Sequence, residues 1–409
     1  MTTGAHSINP FRVLARHRNF RLFWIGQTLS LVGSWMQSMA RGWLALALTD
    51  SAFLVGLVAA AGSLPILVFS LHAGVVADRT DKLRLVKIAQ SLLLLEAIAL
   101  WWLAWTGHMT IHWLLALATI GGVIGAFEIP ARQSLQIELV GRDDLRSAIA
   151  LNSSSFNLGR VIGPVVGAFV IAQFGIAWCF GLNAVSFFTV LVGLGRIRLP
   201  EWKRQPTSAS PTRDIVEGLR YVAEHADIRA LIQMVAVFSI LGTPYLTLMP
   251  VVARDLVRAG VGGYGMLLSA VGIGGFVGAL LLAAEGGRMK GGRWLERSSI
   301  AYASLLVLVA LSRSAPLTYI LLLATGFTMI LNNALVNGLL QALVPDAFRG
   351  RLMSLYSLIV IGLSQVVGAF LAGAIAGAAG VEWAIGSTAL ILLGYSVYVR
   401  RVVRRVGAA

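Results

Sequence analysis

Long apolar stretches alternate with short charged loops along the whole chain. A membrane-spanning helix requires about 20 mainly apolar residues, and twelve stretches meet this requirement. In the first half they cover residues 21–46, 52–77, 85–106, 111–131, 147–173 and 178–197. In the second half they cover residues 229–252, 263–283, 298–313, 317–341, 352–378 and 382–399. The pattern predicts an all-α integral membrane protein with twelve transmembrane helices.

A polar segment separates the two sets of six stretches. Its first part, residues 196–214, is rich in proline, serine and charge, and the part that follows, residues 215–230, has helical spacing with polar faces. This part of the segment is expected to form an amphipathic helix along the membrane surface. The predicted organisation is an N-terminal segment, a six-helix lobe, a linker, a second six-helix lobe and a basic tail, over residues 1–20, 21–197, 198–228, 229–399 and 400–409.

Composition supports the membrane assignment and charge orients the chain. Only 12% of the residues are charged, whereas soluble domains carry roughly 25%. Placing both termini on one side puts most of the 33 lysines and arginines there, and leaves Arg254, Arg258 and Arg313 opposite. The positive-inside rule then predicts cytoplasmic termini in the inner membrane. It also explains the net charge of +15 without a nucleic-acid partner.

Several chemical classes of protein find no support in the sequence. Cys179 is the single cysteine, which excludes an internal disulfide framework, and no Cys/His spacing typical of a metal site occurs. The sequence contains no phosphate-binding motif of the kind found in nucleotide-driven pumps. The six histidines are scattered. We therefore expect no enzymatic activity, no catalytic residues, no cofactor and no metal.

The two halves of the chain resemble each other. Residues 138–169 are similar to residues 342–370, and the letters VVGAF recur at 165–169 and 366–370. Both copies fall in the fifth helix of their half and follow a loop that contains arginine. A parallel repeat of six helices is typical of two-lobed secondary transporters, so two pseudo-symmetric lobes are predicted.

The loop after the second stretch reads GVVADRTDKLR over residues 74–84. It resembles the loop G-x-x-x-D-R-x-G-R-K of the major facilitator superfamily at Gly74, Asp78, Arg79 and Lys82, while Asp81 stands where the family has glycine. The stretches PARQSLQIELV, AIALNSSSFN and GRVIGPVVG further resemble the exporter branch that includes siderophore, macrolide and multidrug efflux proteins. The resemblance implies an antiporter that uses protons to drive a small molecule out of the cell, and we expect it to act as a monomer.

In the alternating access that this resemblance implies, two lobes rock around a central cavity, and a reversible latch must close its cytoplasmic side. We expect Asp78 either to lie against the positive end of the eleventh helix, near residues 348–352, or to pair with a base at the end of the fourth helix. Gly74 would let the lobes approach closely. The alternative is a solvated basic loop, which explains Lys82 but not Asp78. The predicted latch consists of Gly74, Asp78, Arg79, Lys82 and Arg132.

Four charged residues fall inside predicted helices, where each costs roughly 2.5–3.5 kcal/mol on insertion scales. They are Arg41, Glu96, Glu128 and Arg160. Glu128 and Arg160 are expected to be near neighbours, and either couple transport to protons or form a static ion pair. Glu96 is a weaker candidate, because the resemblance places the third helix at the periphery.

Two further sets of residues are candidates for function. Gly159, Gly163 and Gly167 lie on one helical face around Pro164, and resemble the antiporter motif of exporters; a packing face is the alternative. Uncharged polar residues within the helices either bind substrate or hydrogen-bond to each other: Gln27, Gln37, Asn333, Asn337, Gln341 and Gln365.

Together these features predict a proton-driven exporter of a hydrophobic or amphipathic small molecule. An importer of the same fold is the first alternative. A lipid-modifying or non-transporting membrane protein is the second, and for a lipid-modifying enzyme a His/Asp or Ser/His cluster at one membrane face would be the distinguishing feature.

Overall fold

The structure is a computed structural model that describes residues 12–141, 143–199, 211–285 and 291–406. All regular elements in these ranges are helical. The helices of the first half are α1 (Arg12–Arg16), α2 (Arg18–Thr49), α3 (Ala52–Arg79), α4 (Lys82–Trp105), α5 (Ile111–Val140), α6 (Leu145–Phe174) and α7 (Ala177–Gly195).

The second half begins with the linker helix α8 (Pro211–Glu224). It continues with α9 (Ala226–Leu256), α10 (Gly260–Glu285), α11 (Gly291–Leu311), α12 (Ala315–Leu343), α13 (346–379) and α14 (Val381–Val406). Helix α9 contains π turns at Phe238–Gly242 and Val252–Leu256, and α13 contains a long π segment at Leu358–Gly368. Such π segments frequently mark functional sites.

Ten of the described helices are long and apolar enough to cross a membrane. Helices α2 and α4 are not among these ten. Both nevertheless pack within the bundle, α2 against α6 and α7, and α4 against α5 and α7. The chain is therefore an all-α, multi-pass membrane protein.

The predicted helices overlap the observed ones, and the differences have local causes. Helix α5 runs to Val140 rather than ending at residue 131, because Pro130 is accommodated inside it. Helix α11 begins at Gly291 rather than residue 298. Asp81 caps α4 by accepting a hydrogen bond from the amide of Arg84 at 3.0 Å, which is a typical N-cap interaction.

The segments predicted to lie between and beyond the two lobes are described in part. Residues 1–11, 200–210 and 407–409 of the predicted terminal segments and linker lie outside the described residues. The amphipathic helix predicted from residue 215 is found as α8, which exposes Val216 and Leu219, and α9 follows it almost directly. Residues 400–406 extend the last helix.

The most extensive packing between the first half and the second involves two pairs of helices. Helix α3 packs along α13, and α6 packs along α10. Within each half, glycines allow helices to touch backbone to backbone. An added Cβ at Gly274 of α10 would lie 1.9 Å from the carbonyl oxygen of Leu323 in α12. The side chains of α3, α6, α10 and α13 that face the other half therefore lie at the centre of the bundle.

Candidate functional site

A central cavity of about 340 Å³ lies between the two halves. Helices α2, α3 and α6 line it from the first half, and α9, α10 and α13 from the second. Its wall includes Trp35, Arg41, Ser63, Arg160, Tyr264 and Gln365. Among the described lining residues two are arginines and none is a carboxylate.

A buried carboxylate lies directly behind one of these arginines. Arg41 Nη2 is 3.5 Å from Glu96 Oε1, and the Glu96 side chain is only 1% exposed. Gln37 donates a hydrogen bond of 3.1 Å to Glu96 Oε2, and Asn183 donates one of 2.8 Å to Gln37. Helix α4 presents Glu96 to α2, so this carboxylate reaches a neighbouring helix, and its role in coupling stays a prediction. The network joins a titratable group to a cavity residue.

The expectation that Glu128 and Arg160 are near neighbours was wrong. Arg132 Nε lies 2.8 Å from Glu128 Oε1, one helical turn away on α5, and Gln90 of α4 donates to the same oxygen at 3.2 Å. Arg160 instead points across to α10, where its Nη2 donates to the carbonyl of Val271 at 3.5 Å. Glu128 and Arg160 thus belong to separate sites.

The predicted latch residues are placed as follows in this conformation. Asp78 and Arg79 are exposed, and Asp78 forms none of the ion pairs among the described residues. Arg132 is paired with Glu128, so the suggested Asp78–Arg132 pair is not found. A Cβ added to Gly74 would meet no atom within 4 Å, so no close approach occurs there. Lys82 pairs with Glu138 of α5 at 2.9 Å.

The start of α13 is occupied by the linker helix rather than by Asp78. Glu217 of α8 lies 3.0 Å from Arg351. The ring of Tyr221 stacks on Phe348 at 4.4 Å between centroids. The alternative placement of Asp78, against the N-terminus of α13, is therefore not observed either. The latch role of Asp78 stays a prediction for another conformation.

The opposite end of the bundle is closed by contacts between the halves. We call it the Asp50 end, where α2 ends and α3 begins; the Asp78 end lies between α3 and α4. Arg254 Nη1, in a π turn of α9, lies 2.5 Å from Asp50 Oδ1. The rings of Phe53 and Phe370 meet edge to face at 5.6 Å. The halves are therefore joined at the Asp50 end, while Asp78 at the other end has no ion-pair partner among the residues that the structure describes.

The glycine face of α6 packs against α2. A Cβ added to Gly163 would lie 2.6 Å from the Cβ of Trp35, and one at Gly167 would lie 3.1 Å from the sulfur of Met39. Gly159 meets Trp35 in the same way. Pro164 lines the cavity. The packing interpretation of this face fits these contacts, and a role in antiport remains a prediction.

The polar cavity candidates separate into two groups. Gln365 lines the cavity from the π segment of α13, whereas Gln37 serves the Glu96 network. Gln27 is buried elsewhere, and its Oε1 has no hydrogen-bond partner among the described residues. Asn337 accepts a hydrogen bond from Gln341. Asn333, Asn337 and Gln341 of α12 are not among the lining residues of the cavity. The cavity is therefore less polar than the sequence suggested.

Two charged contacts outside the cavity were not predicted. Glu296 of α11 is buried and paired with Arg404 of α14. This contact was missed because α11 was predicted to begin only at residue 298, after Glu296. In the loop before α6, His17 Nε2 lies 2.7 Å from Asp144. This hydrogen bond holds the pKa of Asp144 below its usual value. Both contacts fix helix ends and lie away from the cavity.

The sequence matches the protein family described as "Transmembrane secretion effector" over residues 6–409. Among characterised proteins it is 29% identical to the multidrug efflux pump Tap of Mycolicibacterium fortuitum, over 86% of this chain and 87% of that protein. It is 24% identical to the enterobactin exporter EntS of Shigella flexneri, over 84% and 82%. It is 25% identical to the staphyloferrin A transporter of Staphylococcus aureus, over 64% of this chain and 66% of that protein, just under two thirds of its length.

Solved structures share the fold at low sequence identity. A bacterial homologue of the human lysosomal transporter Spinster, in an inward-facing and unoccupied conformation, superposes with a TM-score of 0.71 at 13% identity, covering 98% of each chain. A POT family transporter in complex with 5-aminolevulinic acid gives a TM-score of 0.74 at 11% identity, covering 95% of this chain and 97% of that one.

Proposed function

Because this chain belongs to the transmembrane secretion effector family, a branch of the major facilitator superfamily whose relatives include efflux pumps, we propose that it exports an amphipathic small molecule through alternating access. Twelve helices, including α2 and α4, span the inner membrane in two lobes of six. Both termini are cytoplasmic, and a single chain encloses the pathway, so the protein acts as a monomer.

The observation that carries this proposal is the cavity between the halves together with its closed end. The Asp50 end then faces the periplasm, where the Asp50–Arg254 contact closes it. The Asp78 end faces the cytoplasm, where the predicted latch is released. This conformation corresponds to the inward-facing state, ready to receive cargo from the cytoplasm.

Proton coupling is proposed to use Glu96. We propose that its carboxylate is ionised in this conformation, where it is paired with Arg41, because a nearby cation favours the ionised form. A conformational change that withdraws Arg41 leaves a buried, unpaired charge, which favours the protonated form. The loaded carrier moves outward with Glu96 ionised, and the empty carrier returns with Glu96 protonated. Proton entry and cargo exit are thereby tied to one cycle.

The direction of transport rests on the relatives named as exporters. The alternative of an importer is distinguished by a susceptibility screen. Deletion of the gene should raise intracellular accumulation of the cargo from a panel of dyes, drugs and siderophores, and overexpression should lower it. The purified protein in proteoliposomes should then move the same compound against its gradient when a pH gradient is imposed. Lower accumulation on deletion would indicate import.

Replacement Asp78→Asn is expected to lower the outward-facing population. In that state Asp78 lies against the N-terminus of α13, a contact worth about 0.3–1 kcal/mol, so the population should fall about two- to fivefold. The outward-facing population is measured by labelling Ala59→Cys, at a cavity position, with a thiol reagent added from the periplasmic side. The native cysteine is removed by Cys179→Ser. Arg84→Gln, in the first turn of α4 at the same end of the bundle, is the control. Unchanged labelling with full transport would reject the latch.

Replacement Asp50→Asn is expected to raise the outward-facing population. It removes the charge that Arg254 contacts at the closed end, and exposed ion pairs contribute about 0.2–1 kcal/mol. Periplasmic labelling of Ala59→Cys should therefore increase by up to about fivefold. Asp255→Asn is the matched control, because Asp255 also contacts Arg254 but belongs to the same helix. Equal effects of the two replacements would contradict closure by Asp50.

A further inference from the structure

We infer that the cavity contains a subsite for an anionic group, with Arg160 as its anchor, and that the exported molecule is an amphipathic organic anion. This deepens the proposed function and rests on it. The group recognised is a carboxylate or another delocalised oxyanion, carried on an aromatic or apolar body.

The charges around the cavity are unequal. Arg41 and Arg160 both line it. Glu96 compensates Arg41 from behind, at 3.5 Å. Arg160 has no carboxylate within 4 Å among the described residues, and its one hydrogen bond is a long contact of 3.5 Å to the carbonyl of Val271. Among the described residues, the cavity wall therefore carries one positive charge, that of Arg160, without a carboxylate partner.

The surroundings of Arg160 hold its guanidinium in place and leave its donors available. A Cβ at Gly275 of α10 would lie 2.4 Å from Arg160 Nη2, so the absence of a side chain there makes room for the guanidinium. The guanidinium has five N–H donors in a planar fork, which suits bidentate binding of a carboxylate or sulfonate. The long contact with Val271 uses one of these donors. A half-buried cation with no carboxylate partner among the described residues gains from an anionic ligand.

Aromatic side chains form the wall on which the body of the ligand would rest. Trp35 and Tyr264 both line the cavity, and the ring of Trp43 stacks on Tyr264 at 5.8 Å. A flat apolar group can pack against aromatic rings that line a cavity. An anionic cargo also leaves the cytoplasm along the membrane potential, which is negative inside. Export of an anion in exchange for a proton is therefore driven by the potential on both counts.

The test is a binding measurement that does not depend on transport. The wild-type protein in nanodiscs is titrated by calorimetry with naphthalenesulfonate, with the neutral naphthalenesulfonamide and with naphthyl trimethylammonium. These probes share the aromatic body and differ in charge. We expect the sulfonate to bind about tenfold or more tightly than the other two, as hydrogen bonds to a charged group imply. Equal affinity for the three probes would overturn the inference.

Variants assign the preference to Arg160. Arg160→Gln should remove the preference for the sulfonate, Arg160→Lys should retain part of it, and Arg401→Gln, at an exposed position, should leave it unchanged. A folded Arg160→Gln protein that keeps the full preference for the sulfonate would contradict the assignment to Arg160. If that variant does not fold, an undiminished preference in Arg160→Lys, or no preference in the wild type, would contradict it instead. Uphill export of only neutral or cationic compounds would refute the anion subsite and leave the exporter intact. Anion binding without transport of any compound would refute the exporter alone.

Discussion

Replacement Glu96→Gln is expected to abolish export against a gradient while downhill efflux and exchange continue. Glutamine keeps the shape of the side chain and can still accept a hydrogen bond from Gln37, but it cannot titrate. It resembles the protonated carboxyl, so the empty carrier returns without a proton and the gradient is no longer used. In proteoliposomes with an imposed pH gradient, the luminal concentration of cargo should rise no higher than the external concentration, whereas the wild type should exceed it.

Glu128→Gln is the matched control for this experiment. Glu128 is also buried and ion-paired, but none of its contacts reaches the cavity. Uphill export by this variant should remain close to wild type. Loss of uphill export in Glu128→Gln with retention in Glu96→Gln would return the coupling role to Glu128, as the sequence first suggested.

Replacement Gly274→Ala is expected to prevent stable packing of α10 against α12. The new Cβ would lie 1.9 Å from the carbonyl oxygen of Leu323 and 3.0 Å from the amide nitrogen of Phe327. These are backbone atoms of a neighbouring helix and cannot move aside as a flexible side chain can. Overpacking of this kind costs typically about 1–3 kcal/mol and occasionally more. The yield of folded protein and its thermal midpoint in detergent should both fall.

Gly338→Ala is the control on the facing helix. A Cβ at Gly338 would meet no atom within 4 Å, and alanine is a better helix former than glycine. The midpoint of this variant should equal or exceed that of the wild type. A Gly274→Ala protein as stable as Gly338→Ala would show that α10 and α12 do not approach as closely as described.

The helices were predictable because each is a long apolar segment bounded by charge. The predicted start of α4, residue 85, lies close to the observed start at Lys82, where Asp81 caps the helix. The end of α5 was missed because the helix continues through Pro130. The start of α11 was missed because Arg293 and Glu296 make its first turns polar, although Glu296 is buried against Arg404. The spacing of apolar residues along the sequence predicts a helix, but it does not show that a charged residue has a partner more than a hundred residues away.

The cavity arginines were predicted as functional, but their partners were not. Glu128 and Arg132 stand four residues apart on one helix, and this spacing alone favours their pairing; the expected contact with Arg160 overlooked it. The pair of Arg41 and Glu96 joins α2 to α4, and depends on how the helices are rotated about their axes. Likewise, the sequence identified α8 as amphipathic but could not show that it would occupy the start of α13.

The most direct test of the account is whether cargo movement itself moves protons. Wild-type proteoliposomes are loaded with cargo and a pH-sensitive dye, with no initial pH gradient and with the membrane potential clamped by potassium and valinomycin. Efflux of cargo should acidify the lumen in the wild type, and Glu96→Gln should release cargo without acidification. Efflux from wild-type vesicles at a constant luminal pH would contradict the proposed exchange of cargo for protons.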